Sequence, residues 1–297
     1  MVTFPITEPG PRIYHFGSTS CDLNARTHIV GILNVTPDSF SDGGRYIDPE
    51  RALEHALAMV EEGADIIDVG GESTRPKGDA YGEGADEVSP EEELRRVIPV
   101  IERLAARTTV PISIDTYKST VADRALQVGA CIVNDISGFR FDPRMPSVVG
   151  EHGASAVLMH IKGTPKTMQR DPSYNDLFGE ILQFLARSIE IAREHGVNQL
   201  IVDPGIGFGK TYEDNLRLIS GLDRLAPLGY PIMVGPSRKS FLGKVLGLPA
   251  KERLEGTIAS VVASILKGAQ FVRVHDVKEV KRAAVVADSI RRAAQGS

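Results

Sequence analysis

The chain has 297 residues, with 34 Lys and Arg against 39 Asp and Glu, so its formal net charge is −5. Hydrophobic residues make up 42% and charged residues 25%, which is typical of a globular protein and too apolar for an intrinsically disordered chain. The mild acidity argues against nucleic acid or an anionic membrane surface as a partner, because phosphate tracking needs a basic excess. A small anionic substrate needs only a local basic cluster.

The N-terminal residues lack the basic and apolar regions of a signal peptide, and no apolar run approaches the roughly 20 residues of a membrane span. Two cysteines, Cys21 and Cys131, are too few for a disulfide framework and are typical of a reducing compartment. We therefore expect a cytoplasmic protein.

Short apolar runs rich in Val and Ile alternate with longer amphipathic stretches along the chain. None of these runs alternates cleanly between apolar and polar residues, which is typical of parallel strands that are buried on both faces. Eight strands are predicted, at residues 27–35, 64–71, 110–116, 130–137, 154–161, 198–204, 230–237 and 269–275.

A helix is predicted after each strand, at 49–62, 90–106, 118–128, 143–152, 173–195, 211–225, 250–267 and 276–294. The first helix has Asp48 as a favourable N-cap, followed by Pro49 at its first position. Glycines are expected to end five helices in the left-handed conformation, at positions 63, 129, 153, 196 and 268.

Eight strand–helix units in fewer than 300 residues predict a single-domain (β/α)₈ TIM barrel over 27–297. An N-terminal extension, 1–26, is expected to close the bottom of the barrel. The alternative fold is a doubly wound open sheet, which usually carries a Gly-rich dinucleotide turn that GILNVTPDSFSDGG (31–44) does not provide. Two long polar segments, 35–48 and 73–89, are candidates for mobile lids.

A barrel of this kind builds its active site at the C-terminal ends of its strands, and each predicted strand has a polar residue there. One group of these residues is basic and comes from the last two strands, where the fold commonly holds phosphate. It consists of Lys239, Arg273 and His275, with Ser237 beside them. Arg273 and His275 lie two residues apart on a strand and are therefore expected to share a face.

A second group of strand-end residues carries carboxylates and an amide. Asp115, Asn134 and Asp203 are suited to the edge of a planar, N–H-rich heterocycle, along which they accept and donate hydrogen bonds. Asn34, with the loop that carries Asp42, is a candidate ligand for a hard divalent cation, because Mg²⁺ takes few protein oxygens beside substrate phosphate.

Structural interpretations compete with these functional ones. Asp115 and Asp203 could cap the helices that follow them, and Lys239 could be a solvated surface charge. We interpret His160 as a structural histidine. The run PGIGFGK (204–210) lacks the spacing of a phosphate-binding P-loop and is interpreted as a loop that lets the backbone approach a planar ligand.

Two segments, GILNVTPDSFSDGG (31–44) and DIIDVGGESTRP (65–76), closely resemble the signatures of dihydropteroate synthases, a family of folate biosynthesis. The resemblance extends over 27–290, with further matching segments at 113–138, 158–169, 203–215, 234–243 and 273–277. It implies a (β/α)₈ barrel and a transferase that is a target of sulfonamides. The implied reaction joins 7,8-dihydropterin-6-ylmethyl diphosphate to 4-aminobenzoate and releases diphosphate and 7,8-dihydropteroate, with Mg²⁺ as cofactor.

The resemblance also implies roles for individual residues, motif by motif. The pterin pocket would be lined by Asp115, Asn134, Asp203 and Lys239, and Mg²⁺ would be bound by Asn34. The diphosphate would be held by Thr74, Arg273 and His275. The aminobenzoate would be bordered by Phe40, Pro76, Phe208, Ser237 and Lys239. The implied catalytic set consists of Lys239, Arg273 and His275 with Asp42 and Arg75, which lie on the two loops expected to fold over the substrates.

One segment departs from the family pattern: residues 77–93 are longer and more acidic than usual, which puts the aminobenzoate contacts in doubt. Two alternative functions remain, a pterin-dependent methyltransferase that passes a methyl group from methyltetrahydrofolate to a corrinoid, and an inactive paralogue. The apolar, Ala-rich helices near 252–267 and 283–294 favour a homodimer.

Overall fold

The computed structural model describes residues 12–36, 48–73 and 87–295. The chain begins with an antiparallel hairpin of two strands, β1 (Ile13–Phe16) and β2 (Thr19–Asp22). The hairpin lies across the end of the barrel at which the barrel strands start. There the Tyr14 hydroxyl donates to the carbonyl of Leu200 at 2.9 Å, and the edge of the Phe16 ring packs against Phe271.

Within the described ranges, eight parallel strands follow the hairpin. They are β3 (His28–Asn34), β4 (Ile66–Gly70), β5 (Ile112–Asp115), β6 (Ile132–Asp135), β7 (Ser155–Met159), β8 (Leu200–Asp203), β9 (Met233–Val234) and β10 (Phe271–Val274). Neighbours pair in the order β8-β7-β6-β5-β4-β3-β10-β9. A parallel bridge between Val202 on β8 and Ile232, the residue before β9, closes the barrel. The predicted (β/α)₈ barrel is confirmed, and the open-sheet alternative is wrong.

Nine α-helices are present in the described part of the chain. They are α1 (Pro49–Glu61), α2 (Pro90–Ala105), α3 (Ser119–Gln127), α4 (Met145–Glu151), α5 (Leu177–Glu194), α6 (Tyr212–Ser220), α7 (Ser240–Leu246), α8 (Leu254–Leu266) and α9 (Val277–Gln295). Short 3₁₀ helices cover Leu222–Leu228 and Ala250–Glu252. None of the helices in these ranges is long and apolar enough to cross a membrane.

The helix ends follow the local sequence signals. Asp48 accepts the backbone N–H of Glu50 at 2.9 Å and so caps α1, with Pro49 at the first position. All five glycines predicted to end helices have positive φ angles. Helix α7 was not predicted, because its seven residues are too few to show a helical period and include Gly243.

Apolar packing occurs on both sides of the barrel wall. Outward-facing strand residues such as Leu33, Val69 and Ile114 pack against the helices. Inside the barrel, the hairpin residues Tyr14 and Phe16 meet a floor formed by Val30, Ile66, Ile132, Val157, Ile201, Met233 and Phe271. This filled floor leaves the opposite end, where the strands finish, as the place for a site.

Candidate active site

Four polar side chains form the layer directly above the apolar floor. Asp68, Asn134, Asp203 and Arg273 each lie two residues after a floor residue on the same strand, and residues two apart on a strand share a face. The floor residues that precede them are Ile66, Ile132, Ile201 and Phe271. Strand alternation therefore builds a polar cluster inside the C-terminal end of the barrel.

Arg273 lies between two carboxylates of this cluster. Its Nε donates to Oδ2 of Asp68 at 2.6 Å, and its Nη2 donates to Oδ2 of Asp115, also at 2.6 Å. Asn134 Nδ2 donates to the same oxygen of Asp68 at 3.0 Å. The expected division into a basic group and a carboxylate group is therefore wrong, because Arg273 joins the two.

Burial dominates the electrostatics of Asp115. It raises the pKa of this carboxyl from the ordinary 3.8 to about 7, with Arg273 opposing the shift and Asp68 adding to it. Burial also opposes the charge of Arg273, but the carboxylates of Asp68 and Asp115 outweigh it and raise the pKa of the guanidinium. A permanent cation thus lies beside a carboxyl group that titrates near neutral pH.

Asp203 and Lys239 face each other across the gap between β8 and β9. Asp203 Oδ1 accepts the backbone N–H of Gly205 at 2.6 Å, and burial raises the pKa of its carboxyl. The Lys239 ammonium donates to the carbonyl of Ile206 and lies 4.6 Å from the centre of the Phe208 ring. Burial lowers the pKa of Lys239 to about 8, with Asp203 opposing the shift. Lys239 therefore remains mostly charged at neutral pH and can pair with an anion.

Ser237 and His275 form a hydrogen-bonded pair at the ends of β9 and β10. Ser237 Oγ accepts the backbone N–H of His275 at 3.3 Å and lies 2.9 Å from the Nδ1 atom of its ring. When the serine hydroxyl donates to Nδ1, the ring proton lies on Nε2. Burial, with Arg238 and Arg273, lowers the pKa of His275 to about 3, so the ring is a neutral donor and not a cation.

Comparison with known proteins gives the family of the chain. Residues 30–275 match the model of a family described as pterin binding enzyme. The dihydropteroate synthase of Bacillus subtilis (strain 168) is 49% identical over 281 residues, which cover 94% of this chain and 94% of that protein. The chain belongs to the dihydropteroate synthase family.

Solved structures of dihydropteroate synthases agree with this assignment. The Clostridium difficile enzyme, crystallised in the presence of pteroic acid, has a TM-score of 0.84 and 48% identity over 91% of this chain and 98% of its own. The Yersinia pestis enzyme in a sulfonamide drug complex has a TM-score of 0.87 and 42% identity over 94% and 99%. The Xanthomonas albilineans enzyme with 4-aminobenzoic acid has a TM-score of 0.84 and 40% identity over 96% and 99%.

The structure excludes the competing role of two aspartates as helix caps. Helix α3 is preceded by Lys118, without a side-chain cap, and α6 is capped by Thr211, so neither Asp115 nor Asp203 caps a described helix. His160 is buried as expected, with its Nδ1 atom 2.9 Å from the amine of Lys210. Asp115 and Asp203 are therefore available to the synthase site.

Five residues with predicted roles lie outside the described part of the chain: Phe40, Asp42, Thr74, Arg75 and Pro76. Their roles stay predictions, as do those of the proposed lids and of most of the acidic segment 77–93. Of the predicted residues that are described, Asp115, Asn134, Asp203, Lys239 and Arg273 line one cluster, with Phe208, Ser237 and His275 at its border. Asn34 ends β3 at the same rim.

Two further buried polar residues at this cluster, Asp68 and Lys210, were not predicted from the sequence. Asp68 lies in the middle of a strand and contacts both Arg273 and Asn134. Lys210 is buried and donates to the carbonyl of Phe208 at 2.9 Å as well as contacting His160. A signal existed for Asp68, because a charged residue inside an otherwise apolar strand such as 64–71 needs a buried partner.

The backbone N–H of Gly205 donates to the carboxylate of Asp203 and helps to position it. Its φ angle is +71°, and a Cβ atom there would lie 1.9 Å from the carbonyl oxygen of His160. We expect Gly205→Ala to lower the free energy of unfolding by roughly 3 kcal/mol or more and to weaken pterin binding, since Gly205 holds the Asp203 carboxylate. Urea unfolding and a pterin titration measure the two effects.

Gly196 provides the matched control for this substitution. Its φ angle is +78°, but a Cβ atom would meet nothing within 4 Å. Gly196→Ala is expected to cost only the left-handed strain, about 1 kcal/mol, and to leave pterin binding unchanged. Equal effects of the two variants would show that the contact with His160 is unimportant.

Proposed function

We propose that this enzyme transfers the 7,8-dihydropterin-6-ylmethyl group from its diphosphate ester to the amino nitrogen of 4-aminobenzoate, giving 7,8-dihydropteroate and diphosphate. The observation that carries the proposal is the cluster in which Asp68 and Arg273 join Asn134 to Asp115. Asp203 and Lys239 lie beside it. This cluster combines hydrogen-bond acceptors, which suit the heterocycle of the substrate, with donors, which suit its diphosphate.

Pterin recognition is assigned to the acceptors of the cluster. The ionised carboxylates of Asp115 and Asp203 accept N–H groups from the ring, and their negative charge favours the cation that develops on the pterin methylene as its C–O bond breaks. Both groups are buried, so their charges are weakly screened there. The conjugated dihydropterin ring delocalises the same positive charge.

Departure of diphosphate is assigned to the donors of the cluster. The electron pair of the breaking C–O bond leaves with the diphosphate, so its negative charge grows in the transition state. Arg273 has five N–H donors, of which the two bonds to Asp68 and Asp115 use one each on Nε and Nη2. The leaving group is bound by the remaining donors of Arg273, by Lys239 and by the neutral Nε2–H group of His275. These donors bind the departing diphosphate more strongly than they bind the intact ester.

Formation of the new C–N bond needs no general base from the protein. The amine of 4-aminobenzoate attacks the methylene carbon through its lone pair, and the nitrogen then loses a proton to solvent. The Phe208 ring, held beneath the Lys239 ammonium, offers an apolar wall for the benzoate ring. The role of the chain in this step is to position the nucleophile and to exclude water that would capture the carbon instead.

Mg²⁺ is part of the same proposal. Asn34 offers one carbonyl oxygen at the rim, and the described residues contain no group of three His, Cys, Asp or Glu side chains that could hold a metal. Mg²⁺ keeps several waters and binds few protein ligands beside substrate phosphates, so a single protein oxygen is enough for it. Zinc usually takes three or four protein ligands and fits this site less well. Held by Asn34 and the substrate, Mg²⁺ would supply neutralisation of the diphosphate charge.

We also propose that two copies associate through α8 and α9 in the cytoplasm. These helices expose Leu266, Val285, Val286 and Ile290, large apolar side chains that a second copy would cover. Both cysteines are free thiols, which supports a reducing compartment. The mass of the protein in solution tests the dimer.

The test of the function is release of diphosphate from the pterin ester. Release should require 4-aminobenzoate, yield 7,8-dihydropteroate in equal amount, stop when a chelator removes Mg²⁺ and fall on addition of a sulfonamide. A second reaction mixture with methyltetrahydrofolate and a reduced corrinoid tests the methyltransferase alternative. Methyl transfer there, or no product in either mixture, would contradict the proposal.

A further inference from the structure

Asp68 is the carboxylate at the base of the pterin site. Its side chain is 1% exposed, against 20% for both Asp115 and Arg273, so it lies beneath the residues that a ligand can touch. One oxygen, Oδ2, accepts from Arg273 Nε at 2.6 Å and from Asn134 Nδ2 at 3.0 Å. A charge this deep is costly unless its partners compensate it, and both of its partners belong to the site.

The contact with Asn134 determines which end of that amide meets a ligand. Because Nδ2 donates to Asp68, the carbonyl oxygen of Asn134 is directed away from Asp68. Rotating the amide by a half turn would place that oxygen against the negative charge of Asp68. Asp68 therefore makes Asn134 an acceptor toward the site, which selects an N–H group of the ligand.

The contact with Arg273 fixes the plane of the guanidinium. Asp68 on β4 and Asp115 on β5 hold two different nitrogens of the group, so its rotation about the long side chain is blocked. With Asp68 removed, Arg273 would be held by Asp115 alone. The donors that face the diphosphate would then have to be ordered during binding, at a cost in side-chain entropy.

We propose that Asp68 is a positioning residue for pterin recognition, which orients Asn134 as an acceptor and holds Arg273 beside Asp115. The role rests on the proposed function of the site and extends it to specificity. Its effect is transmitted through Asn134 and Arg273, which both donate to its Oδ2 atom. Its other oxygen, Oδ1, is buried and has no hydrogen-bond partner among the described residues.

The charges around Asp115 give a second readout of this role. The charged groups that act on its carboxyl are Asp68 on β4, Asp135 on β6, Arg273 on β10, Glu93 on α2 and Lys239 before α7. Neutralising Asp68 removes one negative charge that repels the Asp115 carboxylate. It also leaves Asp115 as the one carboxylate that is paired with the Arg273 guanidinium. Both changes lower the pKa of Asp115.

The test is Asp68→Asn in the full-length enzyme, titrated calorimetrically with the dihydropterin substrate in the absence of 4-aminobenzoate. We expect the Kd for the pterin to rise roughly 10- to 100-fold and the KM for 4-aminobenzoate to stay unchanged. The acid limb of the kcat/KM profile should move to lower pH, by about one unit. A residue with only a structural role would not move that limb.

Ser113→Ala is the matched control. Ser113 lies opposite Asp68 in the register of β4 and β5, lines the same small internal cavity and is 2% exposed. Its hydroxyl makes no hydrogen bond to any described residue. The pterin Kd and the pH profile of this variant should match those of the parent enzyme within a factor of two.

The reciprocal double variant Asp68→Asn with Asn134→Asp keeps one carboxylate and one amide in contact. It should recover at least part of the pterin affinity lost in Asp68→Asn, and it gives a second reading if the single variant fails to fold. Parent-like affinity and an unmoved acid limb in Asp68→Asn, or a double variant that binds the pterin more weakly than Asp68→Asn, would overturn the proposal. An inactive parent enzyme would instead contradict the proposed function.

Discussion

Asp115→Asn is expected to weaken pterin binding roughly 100-fold or more and, at the same time, to raise the free energy of unfolding at neutral pH. The amide presents an N–H donor where the ligand needs an acceptor, and a buried mismatch of this kind is severe. The gain in stability follows because burial raises the pKa of Asp115 from 3.8 to about 7. Calorimetric pterin titration and urea unfolding measure the two effects.

The pH dependence of this gain has a definite sign. The folded state holds the Asp115 proton more tightly than the unfolded chain does. The stabilising contribution of this carboxyl to the free energy of unfolding is therefore complete below pH 3.8 and is lost as the pH rises through about 7. The stability of Asp115→Asn relative to the parent should therefore increase between about pH 4 and pH 7 and then level off. A constant difference across this range would show that the carboxyl titrates normally.

Asp65→Asn is the control with the opposite sign. Asp65 lies before β4, and although burial opposes its charge, Arg26 and the backbone N–H of Ile29 lower the pKa of its carboxyl. Its contribution to stability is present above its unfolded pKa and is lost as the pH falls through the lower folded value. Asp65→Asn should therefore be less stable than the parent at neutral pH, with unchanged pterin affinity.

Arg273→Met is expected to have the largest combined effect of any single substitution in the site. It leaves the buried carboxylates of Asp68 and Asp115 without their shared guanidinium, and breaking a buried pair in this way costs about 3–5 kcal/mol. It also removes the guanidinium that we propose as a donor to the leaving diphosphate, so kcat should fall roughly 10²–10³-fold or more. Unfolding in urea and diphosphate release are the measurements.

The loss of stability in Arg273→Met should grow as the pH rises, because Asp115 must then ionise without a neighbouring cation. Arg26→Met is the matched control, since Arg26 makes a comparable two-nitrogen contact with Asp65 at 2.6 and 2.7 Å. It should lower stability by a smaller amount, because Lys281 also contacts Asp65, and should leave kcat unchanged. Normal turnover in Arg273→Met would show that the guanidinium does not bind the leaving diphosphate.

The barrel could be predicted because its signals are local. A few neighbouring residues are enough to identify a buried strand, a helix cap such as Asp48 or a glycine that ends a helix. The rim residues Asp115, Asn134 and Asp203 followed from the rule that barrel sites form where strands finish. Helix α7 was beyond the same reasoning, since two turns carry no measurable period.

The partners within the site could not be predicted, because they depend on the register of the closed sheet. Arg273 and Asp115 are 158 positions apart and meet only when β10 and β5 face each other inside the barrel. Burial, which sequence shows poorly, makes His275 a neutral donor and moves the pKa of Asp115 close to neutrality. The proposed role of Asp68 depends on its contacts with Asn134 and Arg273, which are distant from it in sequence.

The seam between β8 and β9 has a consequence for how the barrel moves. Strands β3 and β4 share five residue pairs, whereas within the described chain β8 is bridged on the β9 side only by the pair of Val202 with Ile232, the residue before β9. Amide hydrogens along this seam should exchange with solvent sooner than those of the other barrel strands. Asp203 and Lys239 lie on the two sides of this seam, so a substrate that bound both would connect β8 to the segment after β9. Hydrogen exchange along the seam should therefore slow when the site is filled.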